Sequence, residues 1–372
     1  MSEFKTPTTK RTRSRITDNP EFQTPIKIPA SPFLEQIGYG CGRFVYTLER
    51  SPKVGFTRSP WAIKKRNRKV PELQNYNQRI RLEADILKKL CHPNIVGFRG
   101  FTEESNGEPC LAMEKLDCSL GDMIEGRLDE GMDAFSAKDI LKVGYEVIKG
   151  LDYLHHTAHI LHGDMKSFNV LVSRNLDRVK ICDFGVSIPL SASLELDSSK
   201  GDFKYIGTDC WSSPEIILEG GPVTNKADVW AYGLVVWEMI ALSPPHVEET
   251  EDSINECSFD ASMSDDYMKN NKERPHTDGS MDESIMILEE ITKNKYGCSY
   301  QQINRNMFTK IGTRPALPAI SLGKEYDKVL ELFFACTTAD YKVRPSAKGI
   351  QESNISSNSS LVICFLTDKE IV

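Results

Sequence analysis

The chain of 372 residues is 40% hydrophobic and 27% charged, a composition typical of a globular protein with one or two substantial domains. Its formal net charge of −7 argues against direct nucleic-acid binding. The charge is uneven, because residues 247–291 carry 14 Asp and Glu against 3 Lys and Arg, so this segment holds −11 and the remaining chain +4.

The sequence contains no run of about 18 apolar residues, and its polar beginning lacks the apolar stretch of a secretory signal, so no membrane contact is expected. The ten cysteines are scattered and form no Cys-x-x-Cys pair, which argues against a zinc ribbon or a redox pair. We therefore expect reduced thiols and a cytoplasmic location. The basic stretch 10–15 leaves nuclear entry open, although a solvated arm is the simpler interpretation.

The elements predicted along the chain begin after a polar arm. Residues 1–30 are rich in Thr, Pro, Lys and Arg without apolar periodicity, which predicts a disordered basic arm. Short strand-like runs follow at 33–37, 43–48 and 61–65. Residues 75–90 then place apolar side chains at helical spacing, so we expect a helix there.

Beyond residue 117 the sequence becomes helical. The strongest helical patterns cover 138–155 and 225–242, and a further helix is expected at 325–336. Between them, the acidic and Ser/Asn-rich stretch at about 247–310 is best interpreted as an insertion. A strand-rich first third followed by helices predicts an α+β fold with two unequal lobes.

A first group of polar residues lies in the strand-rich third. Gly38, Gly40 and Gly42 lie between two predicted strands, where a glycine-rich hairpin can bring backbone amides close to phosphates. A simple hairpin turn is the alternative. Lys64 at a strand end can neutralise phosphate oxygens, and Glu83 on the next predicted helix can hold that lysine, although each residue alone fits a solvated surface.

A second group lies between two apolar stretches of the helical part. Asp164, Lys166 and Asn169 fall within six positions, and Asp183 follows in an Asp-Phe-Gly triplet. An aspartate can orient a hydroxyl proton, a lysine can meet a phosphoryl group, and asparagine and aspartate oxygens can bind a hard cation. A polar loop explains either motif alone but does not explain the ordered set.

The order of these motifs resembles the signature series of eukaryotic protein kinases. After the glycine loop come the Ala-Ile-Lys strand, the helix glutamate, the His-x-Asp loop, Asp-Phe-Gly, Ser-Pro-Glu at 213–215 and Arg-Pro-Ser at 344–346. The resemblance covers about residues 32–350, and within the family the chain resembles a relative of the MAP kinase kinases. It implies a bilobal protein kinase fold, with a small β-rich N-lobe and a larger helical C-lobe.

The resemblance also implies domain boundaries. We expect a kinase domain at 31–352, followed by a tail at 353–372. Within the domain, the N-lobe would cover 31–112, the hinge 113–117 and the C-lobe 118–352. The resemblance further implies that Glu215 and Arg344 form a buried pair that braces the helical lobe.

The resemblance implies an ATP-dependent enzyme that uses Mg²⁺. It would transfer the γ-phosphoryl group to Ser or Thr of protein substrates. Asp164 would act as the base, Lys166 would stabilise the moving phosphoryl group, and Lys64, paired with Glu83, would contact the α- and β-phosphates. Asn169 and Asp183 would bind Mg²⁺. The implied nucleotide-binding residues are Ile37, Gly38, Gly40, Gly42, Val45, Ala62, Lys64, Met113 (the gatekeeper) and Glu114.

The acceptor specificity is suggested by two residues. Lys166 and Thr208 favour Ser/Thr transfer, whereas the similarity to MAP kinase kinases leaves dual specificity open. The His-Gly-Asp triplet also resembles small-molecule phosphotransferases, but Lys166 and the segment 183–215, which receives a peptide in protein kinases, favour a protein substrate.

The sequence departs from the kinase pattern at two positions of the site. Arg43 stands where the third glycine of the loop is usual, which implies a differently shaped phosphate cradle. Gly163 stands where most regulated kinases have Arg, so a phosphate on the activation loop lacks its usual guanidinium partner. We therefore expect activation to depend less on phosphorylation of that loop.

The segments outside the expected domain suggest partners. Thr6 and Thr24 each precede Pro, which predicts an upstream proline-directed kinase acting in mitotic or proliferative signalling. The last residue, Val372, makes a PDZ-domain protein a candidate partner, although Glu370 occupies the third-last position. A catalytically silent scaffold or PDZ-binding adaptor is the alternative function, and the intact set of catalytic side chains argues against it.

Overall fold

The computed structural model describes residues 35–40, 43–49, 59–66, 76–104, 106–217, 221–246 and 310–355. Several predictions lie outside the described residues, namely those on the basic arm with Thr6 and Thr24, on Gly42, on the acidic insert before residue 310 and on the tail beyond residue 355. The described chain forms a β-sheet part followed by a helical part, so the predicted α+β fold is confirmed.

The first part is a five-stranded antiparallel sheet with the strand order β1-β2-β3-β5-β4. Its strands are β1 (Glu35–Gly40), β2 (Arg43–Leu48), β3 (Trp61–Arg66), β4 (Phe98–Glu103) and β5 (Pro109–Glu114). Helix α1 (Tyr76–Leu87) packs against β5 and β3. It does so because Ile80, Ala84 and Leu87 recur at helical spacing and form one buried face.

The second part is built from helices. They are α2 (Leu120–Asp129), α3 (Ala137–Asp152), α4 (Pro214–Ile217), α5 (Lys226–Ala241), α6 (Asp327–Cys336) and α7 (Ala347–Ile355). Helix α5 is buried from Ala227 to Ile240, because α3 and α6 both pack against it. A helix that is apolar on nearly all sides, as this stretch of α5 is apart from Asp228 and Glu238, belongs in a protein core.

Two small sheets carry the loops of the helical part. One has the order β6-β8-β9, formed by Cys118–Ser119, Val170–Val172 and Val179–Ile181. The other pairs β7 (Ile160–Leu161) with β10 (Ile188–Pro189). These short strands bring the segments that follow β7 and β9 side by side, and the segments contain the two polar motifs of the helical part.

The helices predicted from periodicity are present, with small differences at their ends. At the end of α3, a π-helical turn, Tyr153–Ala158, continues the helix and ends at His159 with a φ of 53°. Among the described residues, no helix combines the length and apolarity that crossing a bilayer requires.

A buried ion pair ties α4 to the segment before α7. The Arg344 guanidinium binds both carboxylate oxygens of Glu215, at Nη1–Oε1 2.7 Å and Nη2–Oε2 2.9 Å. Arg344 is 1% exposed and its guanidinium also stacks 5.0 Å from the centre of the Trp230 ring. The predicted pair is therefore present, and it joins distant parts of the helical lobe.

We predict that Glu215→Ala lowers stability strongly, because it leaves the Arg344 guanidinium buried without its counter-charge. Breaking such a pair costs roughly 3–5 kcal/mol. The control is Glu352→Ala, which removes an exposed partner of Lys348 and is expected to cost at most about 1 kcal/mol. Chemical denaturation of both variants measures the difference, and equal unfolding midpoints would contradict the prediction.

Candidate active site

Lys64 on β3 lies between two carboxylates at the junction of the sheet and the helical part. Its ammonium is 2.7 Å from Oε2 of Glu83 on α1 and 2.9 Å from Oδ1 of Asp183. Lys64 and Glu83 are buried, at 5% and 1% exposure. The predicted contact between Lys64 and Glu83 is therefore present, and the structure adds Asp183 to it.

Several of the predicted nucleotide-binding residues lie on β3 and the strands beside it. Ala62 and Met113 are register partners across β3 and β5, and both are buried. Val45 on β2 is the register partner of Lys64 and packs against the main core. Ile37 lies at an irregularity in the pairing of β1 with β2, and Gly38 and Gly40 follow it on β1.

The side chain of Glu114 points into a cluster of basic residues at the end of β5. Its Oε2 accepts a hydrogen bond from the Gly97 amide at 3.2 Å and lies 3.3 Å from the Lys180 ammonium. Arg99 and Arg178 are at 3.7 Å and 4.0 Å. The side chain thus fixes this end of β5, and the expected role of Glu114 in nucleotide binding stays a prediction.

The three polar residues of the predicted catalytic loop and activation segment form a closed set of contacts. The Thr208 hydroxyl donates to Oδ1 of Asp164 at 2.6 Å and accepts from the Lys166 ammonium at 2.8 Å. Lys166 also lies 3.0 Å from Oδ2 of Asp164. Thr208 therefore orients both the carboxylate and the ammonium that the sequence assigns to phosphoryl transfer.

Asn169 and Asp183 supply oxygen atoms that suit a hard cation. The Asn169 amide nitrogen donates to the backbone and side-chain oxygens of Asp164, at 2.6 Å and 3.0 Å, so the oxygen of its side chain is the atom it can offer. The Cys182 amide donates to the Asn169 carbonyl at 2.9 Å, which brings Asp183 beside it. Two oxygen ligands fit Mg²⁺, which is usually held by one or two protein groups together with substrate phosphates.

This donor set is small. Within the ranges that the structure describes, no group of three or more His, Cys, Asp and Glu could hold a metal ion. A cation at Asn169 and Asp183 would therefore depend on further oxygens from a bound phosphate or from water.

The backbone of the catalytic loop is held by Asp228 on α5. Its carboxylate accepts from the amides of His162 and Gly163, at 2.8 Å and 2.9 Å, and binds Nε2 of His155 at 2.8 Å. Burial by itself raises the pKa of Asp228, but the hydrogen bond and charge of His155 and the hydrogen bond from the Gly163 amide outweigh it and lower the pKa. Asp228 is therefore a buried anion whose position fixes the start of the loop.

The His162 ring connects this loop to the Asp-Phe-Gly segment. Its Nε2 lies 2.9 Å from the Cys182 carbonyl, and its Nδ1 accepts from the Asp164 amide at 3.2 Å. Phe184 packs edge-on against the same ring, with centroids 5.2 Å apart, and is fully buried. Burial raises the pKa of the Cys182 thiol well above its usual range, so the residue before Asp183 is a neutral packing group.

Gly163 adopts a left-handed conformation, with a φ of 79°, and a Cβ there would lie 3.3 Å from the Val186 carbonyl. Glycine suits this position because it has no side chain to resist that conformation. The expectation that activation depends little on loop phosphorylation stays a prediction.

The segment after β10 is ordered by contacts of its own. The Leu196 amide donates to the Val223 carbonyl at 2.9 Å, and the Asn225 amide donates to the Leu194 carbonyl at 3.0 Å. A small apolar cluster covers the same region. Its members are Leu161, Ile188, Leu190 and Ala227, with Leu196, Phe203, Tyr205, Ile216 and Val223 packed against them.

Several residues at the site were not assigned a role from the sequence, among them Asp228, Glu238, Trp211 and Ser167. Glu238, Trp211 and Ser167 form a buried hydrogen-bonded group beneath the catalytic loop. One signal was available for Glu238, since it is a carboxylate inside the otherwise apolar stretch of α5. No pattern in the sequence indicated its two partners.

Comparison with known proteins agrees with the geometry. A family model described as "Protein kinase domain" matches residues 33–355. The chain is 39% identical over 359 residues to the lymphokine-activated killer T-cell-originated protein kinase of Homo sapiens, an alignment that covers 95% of this chain and 98% of that protein.

More distant similarities cover smaller shares. The chain is 35% identical over 231 residues to protein kinase wis1 of Schizosaccharomyces pombe, which is 59% of this chain and 34% of that protein. It is 34% identical over 176 residues to mitogen-activated protein kinase kinase kinase zak-1 of Caenorhabditis elegans, which is 45% of this chain and 23% of that protein.

Proposed function

Because this chain belongs to the protein kinase family, we propose that it is an active kinase that phosphorylates Ser and Thr of protein substrates. Family membership implies that the phosphoryl donor is ATP and that a divalent cation accompanies it. The Ser/Thr acceptor, the use of Mg²⁺ and the place in signalling are proposals.

A single observation carries the proposal, namely that Thr208, Asp164 and Lys166 contact one another while Lys64 contacts Glu83 and Asp183. A chain that had lost catalysis would have no need to keep both groups in contact. The arrangement supports an enzyme rather than a silent scaffold.

Asp164 is the group that would accept the proton of the substrate hydroxyl. Its Oδ1 accepts from Thr208 and its Oδ2 accepts from Asn169, so the carboxylate is held in one orientation before substrate binds. Lys166 would stabilise negative charge as it develops on the moving phosphoryl group. Lys64 would hold the phosphates in place, with Glu83 fixing its ammonium.

The cation would bind at Asn169 and Asp183 and would neutralise phosphate charge during transfer. Asp183 is positioned for this by its backbone, which has a φ of 65°, and by the Gly185 amide, which donates to its Oδ1 at 3.4 Å.

We predict that Asp164→Asn and Asp183→Asn each lower phosphoryl transfer at least about a hundredfold, the size expected for loss of a general base or of a charge on the cation. The measurement is incorporation of labelled γ-phosphate from ATP into a protein substrate. Asp177→Asn, which changes an exposed carboxylate paired with Lys142, is the control and should retain full activity. Equal incorporation by all four proteins would defeat the enzymatic proposal.

We predict that Thr208→Val reduces kcat tenfold to a hundredfold, because hydrogen bonds to charged groups are worth roughly 1.5–3 kcal/mol. Thr208→Ser keeps the hydroxyl and should recover most of the rate. Thr337→Val is a matched control, since that buried threonine also donates one hydrogen bond and accepts another, from Arg314, away from the site.

Phosphoamino-acid analysis of the product should give phosphoserine or phosphothreonine, and phosphotyrosine alone would contradict Ser/Thr specificity.

We place the kinase in mitotic or proliferative signalling, under an upstream proline-directed kinase that acts on Thr6 or Thr24. The support is the Thr-Pro sequence at both positions, together with Lys27 in the Thr-Pro-x-Lys pattern after Thr24. Phosphopeptide mapping should find at least one site occupied in mitotically arrested cells and less occupied in interphase cells. Both sites unmodified during arrest would refute the proposal.

A further inference from the structure

Glu238 is a buried carboxylate on α5 that the proposed chemistry does not use. It is 2% exposed and lies ten positions after Asp228 on the same helix. Three donors surround it. The Ser167 hydroxyl donates to Oε1 at 2.6 Å, the Ser167 amide donates to Oε2 at 3.3 Å, and the Trp211 indole donates to Oε2 at 2.9 Å.

The two partners of Glu238 belong to the two segments that form the site. Ser167 follows Lys166 in the catalytic loop, and Trp211 closes the 3-10 turn Asp209–Trp211 that follows Thr208. Both partners are buried, at 1% and 2% exposure. Glu238 thus joins the backbone beside Lys166 to the backbone beside Thr208, below the point where those two side chains meet.

We propose that Glu238 is a positioning residue, whose ionised carboxylate holds the catalytic loop and the Thr208 segment in the register that phosphoryl transfer requires. The inference rests on the proposed kinase function and deepens it, since it identifies the group that sets the Lys166–Thr208 contact. Glu238 does not touch the reacting atoms, and its hydrogen bonds go to Ser167 and Trp211.

Hydrogen bonding explains why the charge matters. All three groups that contact the carboxylate are donors, so an ionised carboxylate satisfies each of them without rearrangement. If Oε1 carries a proton, it becomes a donor itself and the Ser167 hydroxyl must turn from donor to acceptor. Protonation therefore changes the contact on the side of the catalytic loop, while the Trp211 bond to Oε2 remains.

The electrostatics place this change near neutral pH. Burial raises the pKa of Glu238 to about 7, against the opposing effects of the bonds from Ser167 and Trp211 and the positive charge of Lys166. The other titratable group facing it is Cys210, whose thiol pKa burial raises to about 12, so it stays neutral across this range. Glu238 would be ionised above about pH 7 and protonated below.

As pH rises, activity and stability should change in opposite directions. This difference separates a positioning role of Glu238 from a structural one. The pKa of Glu238 is higher in the folded than in the unfolded protein, so its contribution to stability is present at low pH and is lost as pH rises through about 7. The rate should instead increase over that range, because only the ionised form accepts all three hydrogen bonds, from the Ser167 hydroxyl and amide and from the Trp211 indole. A rate that merely followed folding would fall.

The test compares Glu238→Gln with the parent chain. Glutamine mimics the protonated carboxyl and cannot ionise, so kcat at pH 8 should fall about tenfold, the effect of a small misplacement of catalytic groups. The KM for ATP should be unchanged. The rise in kcat between pH 6 and 8 that belongs to Glu238 should be absent from the variant.

A second variant keeps the test decisive if Glu238→Gln does not fold. Trp211→Phe removes the indole donor and keeps the ring, and it should also lower kcat with little change in KM for ATP. Its matched control is Trp237→Phe. Trp237 precedes Glu238 on α5, and its indole donates to the Ala316 carbonyl, away from the catalytic loop. That control should retain the parent kcat.

The outcomes separate the two proposals. If the parent chain is as inactive as Asp164→Asn, the kinase function fails. If the parent is active and Asp164→Asn is not, but Glu238→Gln and Trp211→Phe keep the parent kcat and the parent pH profile, the positioning role of Glu238 is overturned. Loss of kcat equal in Trp211→Phe and Trp237→Phe would also overturn it.

Discussion

The carboxylate of Asp228 fixes the backbone of the catalytic loop, and the remaining geometry of the site depends on that anchor. It accepts from two consecutive amides, at His162 and Gly163, while His155 supports it from the π-helical turn after α3. A buried anion is stable only when its lone pairs are satisfied, and the ordered loop provides the donors. The carboxylate and the loop therefore stabilise each other.

The His162 ring connects the loop held by Asp228 to the segment that contains Asp183. His162 holds the Cys182 carbonyl, and Cys182 precedes Asp183. Asp183 in turn contacts Lys64 on the sheet, which is held by Glu83 on α1. A continuous path of polar contacts therefore runs from the core of the helical part to the sheet, and a displacement at either end changes the surroundings of Lys64.

Local structure was predictable from the sequence because periodicity is a local property. The helices α1, α3, α5 and α6 follow from apolar spacing, and only their ends differed. The π-helical turn was not predictable, since the same residues continue a helical pattern. That α5 is buried on every side depends on which helices surround it, and the sequence of α5 does not contain that information.

The candidate site was predictable in its membership and less so in its contacts. The ordered motifs pointed to Lys64, Asp164, Lys166, Asn169 and Asp183, and the structure brings them together. Thr208 lies 44 positions from Asp164 and Trp211 lies 27 from Glu238, so those bonds arise from the topology of the chain. Glu114 shows the same limit, because its side chain is engaged by basic residues that two other segments contribute.

The backbone pairing of residues 194–196 with 223–225 has a consequence for the kinetics of substrate encounter. A segment that must order itself when a partner arrives spends part of the binding free energy on lost conformational entropy, and its association slows. Here residues 194–196 are already paired with residues 223–225 and covered by an apolar cluster before a substrate binds. A protein substrate would therefore meet a preformed surface, so that differences in affinity among substrates would arise mainly in their dissociation rates.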